Sequence, residues 1–401
     1  MSSSPSPAHE GAGPLAFTLT LGTIYAAAAA PTPLYRVYQQ LWAVSPVLIS
    51  LIFAVYAFAL LAALLVAGSL SDHVGRRPVI VTALLIQICA MATFLGADGP
   101  TWLLAARILQ GIATGLAASS LAAAIVDLDQ AGGPTINSLA PLAGMGLGAL
   151  VSGALVALAP APTHLIYALL LALNVLQVLV VLRAPETGTR RPGALASLDP
   201  RIAIPPTSRT ALLRVTPFNA SLWTLCGFFM SLVPSVAAGA TGIESPLLGG
   251  ALAALLMLSG ATAVFSQRRR PPARLRDIGV VGVAVGVALL LAGIMTGGLA
   301  LLIAGTLFAG FGVGASFAAV TRSLLPLAEP DKRAELLAAF YVECYLAFSL
   351  PAIGAGFLVR AFGVVTTAEI FSTAVLAMVL GGYLLLRGGA LEARTARCPA
   401  T

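Results

Sequence analysis

Apolar residues run through this chain in blocks of about twenty, interrupted by short clusters of charge, Pro and Gly. A bilayer core about 30 Å thick needs about 20 apolar residues for one helical crossing. Breaking the blocks at the polar clusters predicts helices near 14–36, 46–70, 78–97, 100–127, 136–159 and 163–183, then near 214–239, 245–266, 277–297, 299–326, 334–360 and 363–387. Six blocks, a break and six more blocks therefore organise the sequence. The break contains "RAPETGTRRPGALASLDPRIAIPPTSR", which is linker composition with too few apolar residues for a core. The expected plan is a tail over 1–12, a bundle over 13–183, a linker over 184–213, a second bundle over 214–387 and a tail over 388–401.

A short repeat supports two related halves. The tripeptide "RRP" occurs at Arg76–Pro78 and again at Arg269–Pro271, each time between the second and third helix of its half. The expected fold is all-α and membrane-integral, with twelve spans in two pseudo-symmetric six-helix bundles. Secondary transporters are often built from such repeats, with the substrate held between them near the membrane midplane.

Composition agrees: of 401 residues, 59% are hydrophobic and 9% charged, so no large water-soluble domain is left over. The net charge of +7 matters through its placement. If the N-terminal tail is cytoplasmic, all of the 22 basic residues except Arg36, Arg107 and Arg360 lie on or border the cytoplasmic side. The positive-inside rule then puts both termini in the cytoplasm of a multi-pass cell (inner) membrane protein. The first dozen residues carry no Lys or Arg, so the charged start of a cleavable signal peptide is missing. Cys89, Cys226, Cys344 and Cys398 lie far apart without metal-ligand spacing, and no disulfide framework or metal site is expected. There is no phosphate-binding G-x-x-x-x-G-K-[ST] loop, the single Lys is Lys332, and no nucleophile–base constellation occurs. An enzyme, a bound cofactor, an ATP-driven pump and a nucleic-acid partner are therefore not expected. The expected partners are a small-molecule substrate, protons and the lipid bilayer, and the protein is expected to be a monomer.

The charge that does occur is concentrated at "GSLSDHVGRRP", Gly68–Pro78. Gly68 lets a helix approach closely, Gly75 permits a tight turn, and Asp72 and Arg76 set opposite charges at a helix end. This stretch resembles the loop signature G-x-L-x-D-x-x-G-R-[RK] of the major facilitator superfamily at every defining position. The resemblance implies a conformational switch: the Asp and Arg join an acid at the same end of helix four and support the outward-open state. Asp127 matches that acid, with Asp129 the alternative. Arg77 and His73 read as solvated loop charges that anchor topology.

A second stretch, "RILQGIATG" at Arg107–Gly115, resembles the family's fourth-helix motif R-x-x-Q-G-x-x-x-G. Arg107 lies about 10 Å along its helix from Pro100, a depth at which an ionisable group faces a cavity or a partner. Gln110 and Thr114 share its face, while Gly111, Gly115 and Ser119 form a small-residue packing stripe. The resemblance implies proton coupling or substrate contact for Arg107, with Gln110 beside it. A third stretch, "GMGLGALVSG", keeps Gly144, Gly148 and Gly153 of the fifth-helix motif G-x-x-x-G-P-x-x-G-G of drug:proton antiporters. Ala149 replaces its Pro and Ser152 one of its Gly residues. These glycines also suit close helix packing, so export is favoured over import without excluding it.

Proton coupling needs a titratable group open alternately to both sides. Glu343, near mid-depth in "AAFYVECYLAF" beside Tyr341 and Tyr345, is the expected carrier, against the alternative of a hydrogen-bonded structural Glu. Glu369 lies nearer the outer end. Tyr25, Tyr56, Gln87, Asn174, Asn219 and Tyr345 could line a cavity or bond between helices. Asn219 opens an N-x-S sequon, but its place near the cytoplasmic start of helix seven excludes glycosylation. Tyr35, Tyr38 and Trp42 read as an interfacial aromatic belt. The expected function is alternating-access, proton-coupled efflux of small amphipathic organic compounds, neutral, cationic or mildly amphipathic rather than multiply charged. The alternatives are a proton-coupled importer or facilitator of a metabolite, and a non-transporting membrane receptor.

Overall fold

Proline and serine set the helix starts, and they do so alike in both halves. Ser45 Oγ accepts from Leu48 N and Ser245 Oγ from Leu248 N, both at 3.3 Å, each followed by a Pro in the first turn. A serine satisfies an otherwise orphaned N–H, and Pro there sacrifices no helical bond. The computed structural model describes residues 12–199, 206–327 and 333–395, and every regular element among them is helical. Twelve of the helices are long and apolar enough to cross a membrane.

In chain order these are α1 (Ala12–Ala29) continued by α2 (Leu34–Trp42), α3 (Pro46–Ala67), α5 (Arg76–Leu95), α6 (Pro100–Leu128), α7 (Gly133–Leu158) and α8 (Leu165–Arg183). A one-turn helix, α4 (Ser71–Val74), lies between α3 and α5. The second half holds α9 (Pro206–Thr241), α10 (Pro246–Ser266), α11 (Pro272–Thr296), α12 (Leu299–Leu324), α13 (Arg333–Phe362) and α14 (Val364–Thr395). Crossing parity puts residues 68–77, the 184–199 segment and the α10–α11 turn on one face, here the basic face.

Three boundaries differ from the hydropathy pattern. The first span is two helices rather than one, because Pro31 and Pro33 lack the N–H groups needed to continue α1. The seventh helix starts at Pro206 rather than 214; Ser208 and Leu212, placed in the linker by composition, are 0% and 4% exposed. The last helix runs to Thr395, past the expected end at 387. The aromatic belt is also corrected. Tyr35 and Tyr38 are 3% and 1% exposed, and Tyr38 Oη donates to Tyr167 Oη at 3.2 Å. After the proline break, α2 turns its aromatic face onto α3, α7 and α9, so these rings fill the core instead of the lipid boundary.

The halves meet along α3–α13 and α7–α10. Small residues allow it: a Cβ on Gly250 would reach the Ala149 carbonyl oxygen at 2.5 Å, and one on Gly356 would press on Ser50. The repeat is visible in the same terms. Gly111 and Gly115 of α6 lie against the α3 backbone from Tyr56 to Leu64, and Gly310 and Gly314 of α12 lie against α10 from Leu256 to Gly260. At the face opposite the basic one, Arg36 pairs with Glu244, joining α2 to the α9–α10 turn.

Candidate functional site

Gly75 makes the turn from α4 to α5 with φ +100°, a region open to glycine at little cost. A Cβ there would also meet the Glu186 carboxylate at 2.7 Å. Past this turn Arg76 opens α5 and its guanidinium gathers the neighbouring groups. Nη1 donates to Ser71 Oγ at 2.8 Å and to the Asp72 carboxylate, and Nε donates to Asp127 Oδ2 at 3.3 Å. Asp72, Arg76 and Asp127 are thus together, and all three belong to the first half. Asp129 is elsewhere: its Oδ1 accepts from Ala131 N and Gly132 N at 3.1 and 2.8 Å and shapes the turn into α7. Gly68 closes α3, where a Cβ would fall on the Leu64 carbonyl of its own last turn rather than on a neighbouring helix.

The residue that the sequence reading missed is Glu186. Its Oε1 accepts from Arg76 N at 2.7 Å and its Oε2 from Arg77 N at 3.2 Å, so a carboxylate caps the positive end of α5, where Gly75 offers no side chain. The available signal was the uncapped helix start itself. Arg77 and His73 are not free loop charges either. Arg77 Nη1 donates to the carbonyls of Leu182 and Ala184 at 3.3 and 3.4 Å, at the C-terminal end of α8. His73 Nδ1 lies 3.0 Å from Pro192 O, and Arg191 N donates to His73 O at 2.9 Å. Loop chemistry here is docking chemistry: the 184–199 segment is bonded under the α3–α5 turn.

Deeper in the first half, Arg107 is 1% exposed. Its Nη1 donates to Ala28 O at 3.0 Å and to Gln110 Oε1 at 2.5 Å, and Gln110 Nε2 donates to Ala27 O at 2.8 Å. Pro31 cannot donate to Ala27 O, and the last carbonyls of any helix lack partners. Arg107 and Gln110 supply them, with the cation at the negative end of α1. Ser152 Oγ completes the break by donating to Ala30 O at 2.6 Å. The Arg107 Cζ lies 4.2 Å from the centroid of the Tyr56 ring. Gly144 and Gly148 set α7 against α1 at Gly22 and Ala26, while Gly153 meets Pro246 and Gly250 of the other half.

Glu343, ten residues into α13, lies about 15 Å along the helix axis. Thr216 Oγ1 is 2.9 Å from its Oε2, and Asn219 Nδ2 donates to its Oε1 at 2.9 Å. Asn219 Nδ2 also lies 3.3 Å from Cys344 Sγ. Thr216 and Asn219 sit one turn apart on α9, so this carboxyl joins α9 and α13 within the second half. One turn or so away, aromatic rings bridge the halves: Phe53 and Phe348 are 4.9 Å apart, and Trp223 lies 5.7, 6.0 and 6.1 Å from Tyr345, Phe317 and Phe348. Gln87 is fully buried in α5 with both amide atoms unpartnered among the described residues, and Asn174 Nδ2 bonds only Leu170 O of its own helix, at 2.6 Å.

The model of the Major Facilitator Superfamily matches residues 14–352, most of the chain. The chain belongs to the Major Facilitator Superfamily. Members of this superfamily are transporters, and the fold recurs in solved structures of them. The peptide transporter POT in complex with alafosfalin is 16% identical with a TM-score of 0.73, covering 97% of this chain and 95% of that one. The xylose transporter XylE from E. coli is 15% identical at 0.70, covering 93% and 98%. The human organic anion transporter MFSD10 is 18% identical at 0.66, covering 95% and 100%. At such identities the likeness is one of fold. No curated protein sequence matches the chain.

Proposed function

We propose that this superfamily member is a proton-coupled exporter of small amphipathic organic compounds, working by alternating access, with Glu343 as the proton carrier. One observation carries the coupling. The Thr216 hydroxyl has a single hydrogen but two neighbours, Leu212 O at 3.0 Å and Glu343 Oε2 at 2.9 Å. When Glu343 is neutral it donates to Thr216, which donates to Leu212 O. When it is ionised the hydroxyl turns and donates to the carboxylate. Asn219 Nδ2 donates to Oε1 in both states, so the site accepts and releases a proton without losing its partners.

Orientation follows from the positive-inside rule, which puts the basic face in the cytoplasm. Asp72, Arg76 and Asp127 then brace the cytoplasmic ends of α3, α5 and α6 and favour the outward-open state. Arg36 with Glu244 closes the outer end in the opposite state. Gly111, Gly115, Gly144 and Gly148 hold the helices of the first half close enough to move as one body, and Gly153 keeps the surface facing the other half smooth.

The test uses purified protein in liposomes with a pH dye inside and a preset gradient, acid inside. Export coupled to proton entry predicts that adding substrate outside dissipates the gradient in inside-out molecules, and that Glu343→Gln moves substrate without this pH response. Substrate-driven proton movement in the same direction as the substrate would establish import instead. A chain that moves no solute would be a receptor.

A further inference from the structure

We propose that the basic turn between α10 and α11 is a docking surface for anionic phospholipid headgroups. The "RRP" repeat makes this turn the counterpart of the α3–α5 turn, yet the two differ in charge balance. In the first half Asp72 stands four residues before Arg76 and Asp127 lies near the end of α6; both pair with Arg76, while Arg77 donates to the end of α8. In the second half Phe265 stands four residues before Arg269, and the end of α12 carries Arg322 rather than an acid. Arg322 Nη1 donates to Arg268 O at 2.8 Å, so it adds to the turn instead of neutralising it.

Six guanidinium groups therefore collect here, from Arg268, Arg269, Arg270, Arg274, Arg276 and Arg322. The first four are exposed, and among the described residues no carboxylate pairs with Arg269, Arg270 or Arg274. Asp277 is the one acid of the turn. Its Oδ1 lies 3.5 Å from Arg276 Nε and accepts from Tyr383 Oη at 3.0 Å, so it is already engaged. The sequence after α12, from 328 to 335, holds three acids and two bases, a single net negative charge against the six. Topology requires basic residues on a face, but it does not require the acids to be missing from one of two related turns. Position selects the counter-charge. Phe265 is 52% exposed at the end of a span, and the Arg268 Cζ lies 4.2 Å from its ring centroid. An exposed ring there belongs at the acyl boundary, and the cation over it stands at headgroup level. A cluster of four or more arginines just beyond a span attracts the anionic lipids of that leaflet. A soluble anion is held by donors that enclose it, whereas these arginines lie open on the surface.

The test is lipid binding to the purified full chain in uncharged detergent, read with fluorescent phosphatidylglycerol and phosphatidylcholine and by thermal shift. At low salt phosphatidylglycerol should bind about tenfold or more tighter than phosphatidylcholine, and the ratio should shrink as salt rises. Arg269→Gln, Arg270→Gln and Arg274→Gln together should bring that ratio to about twofold or less. Arg190→Gln, Arg209→Gln and Arg214→Gln together remove the same charge from exposed sites elsewhere on the basic face, and should leave the ratio unchanged. The proposal is overturned if phosphatidylglycerol is not preferred, or if both triple variants lose the preference equally, which would make net charge the cause. It is also overturned if inorganic phosphate at equal concentration displaces the labelled phosphatidylglycerol, which would make the turn a site for a free anion. Should the first triple variant fail to fold, the single changes decide: each should weaken phosphatidylglycerol binding about threefold to fivefold without changing that of phosphatidylcholine.

Discussion

Arg76 gives its side chain to two aspartates and its backbone N–H to a glutamate, so one residue ties together segments 51 and 110 positions away. The side-chain partners were legible because Asp72 and Arg76 stand at a recognisable spacing and Asp127 ends an apolar block on the same face. Glu186 was missed because its one signal, the uncapped start of α5, marks main-chain donors without naming the distant carboxylate that reaches them. The two kinds of partner should behave differently on removal. Asp72→Asn takes away a half-exposed ion pair worth at most about 1 kcal/mol, so melting should barely move while transport by reconstituted protein falls sharply; unchanged transport would remove the brace. Glu186→Ala removes a helix cap and should destabilise the first half by about 1 kcal/mol, with Glu186→Gln intermediate, as read from thermal unfolding in detergent. The depth of Glu343 in its span was legible, yet its partner Thr216, 2.9 Å from its carboxyl, lies on another helix 127 positions away and was not.

Proline shapes two helices that face each other across the halves. Pro234 inside α9 cannot donate to Met230 O, and Thr32, in the break between α1 and α2, donates its Oγ1 to that carbonyl at 3.0 Å. The freed group of one half is satisfied by the hydroxyl of the other. Thr32→Val should therefore cost about 1 kcal/mol, whereas in a Pro234→Ala background, where residue 234 regains its N–H, the same change should cost much less. A double-mutant comparison of melting temperatures checks this, and equal costs in both backgrounds would break the link. The α1–α7 contact is stricter. A Cβ on Gly148 would overlap the Ala26 backbone, so Gly148→Leu should sharply lower the yield of folded protein in size-exclusion profiles. The spans themselves were legible because hydropathy alone dictates them. The break in the first was written in "APTP" but hidden by the apolar residues around it, and the burial of Tyr35 and Tyr38 followed from that break rather than from their own chemistry.

The two-half plan was readable from the count of blocks and the "RRP" repeat, but the surfaces joining the halves were not, because they depend on which glycines of one half meet backbone of the other. Arg36 and Glu244 mark the seam on the face opposite the basic one. In a protein with Cys89, Cys226, Cys344 and Cys398 replaced, the Arg36→Cys, Glu244→Cys pair should cross-link with a short bifunctional thiol reagent and stop transport, and a cleavable linker should restore it on reduction. Transport that continues while cross-linked would mean that this seam need not open. The segment joining the halves also has a mechanical meaning. Composition marked 184–213 as slack, yet Glu186, Arg191, Pro192 and Ser197 are bonded to the first half, Ser197 O through Ser69 Oγ at 3.2 Å. Between Ser197 and the start of α9 at Pro206 only eight residues remain, so the two are at most about 30 Å apart along a fully extended chain. The tether is therefore a short leash anchored at one end, and its length sets a limit on how far the halves can swing apart on that face.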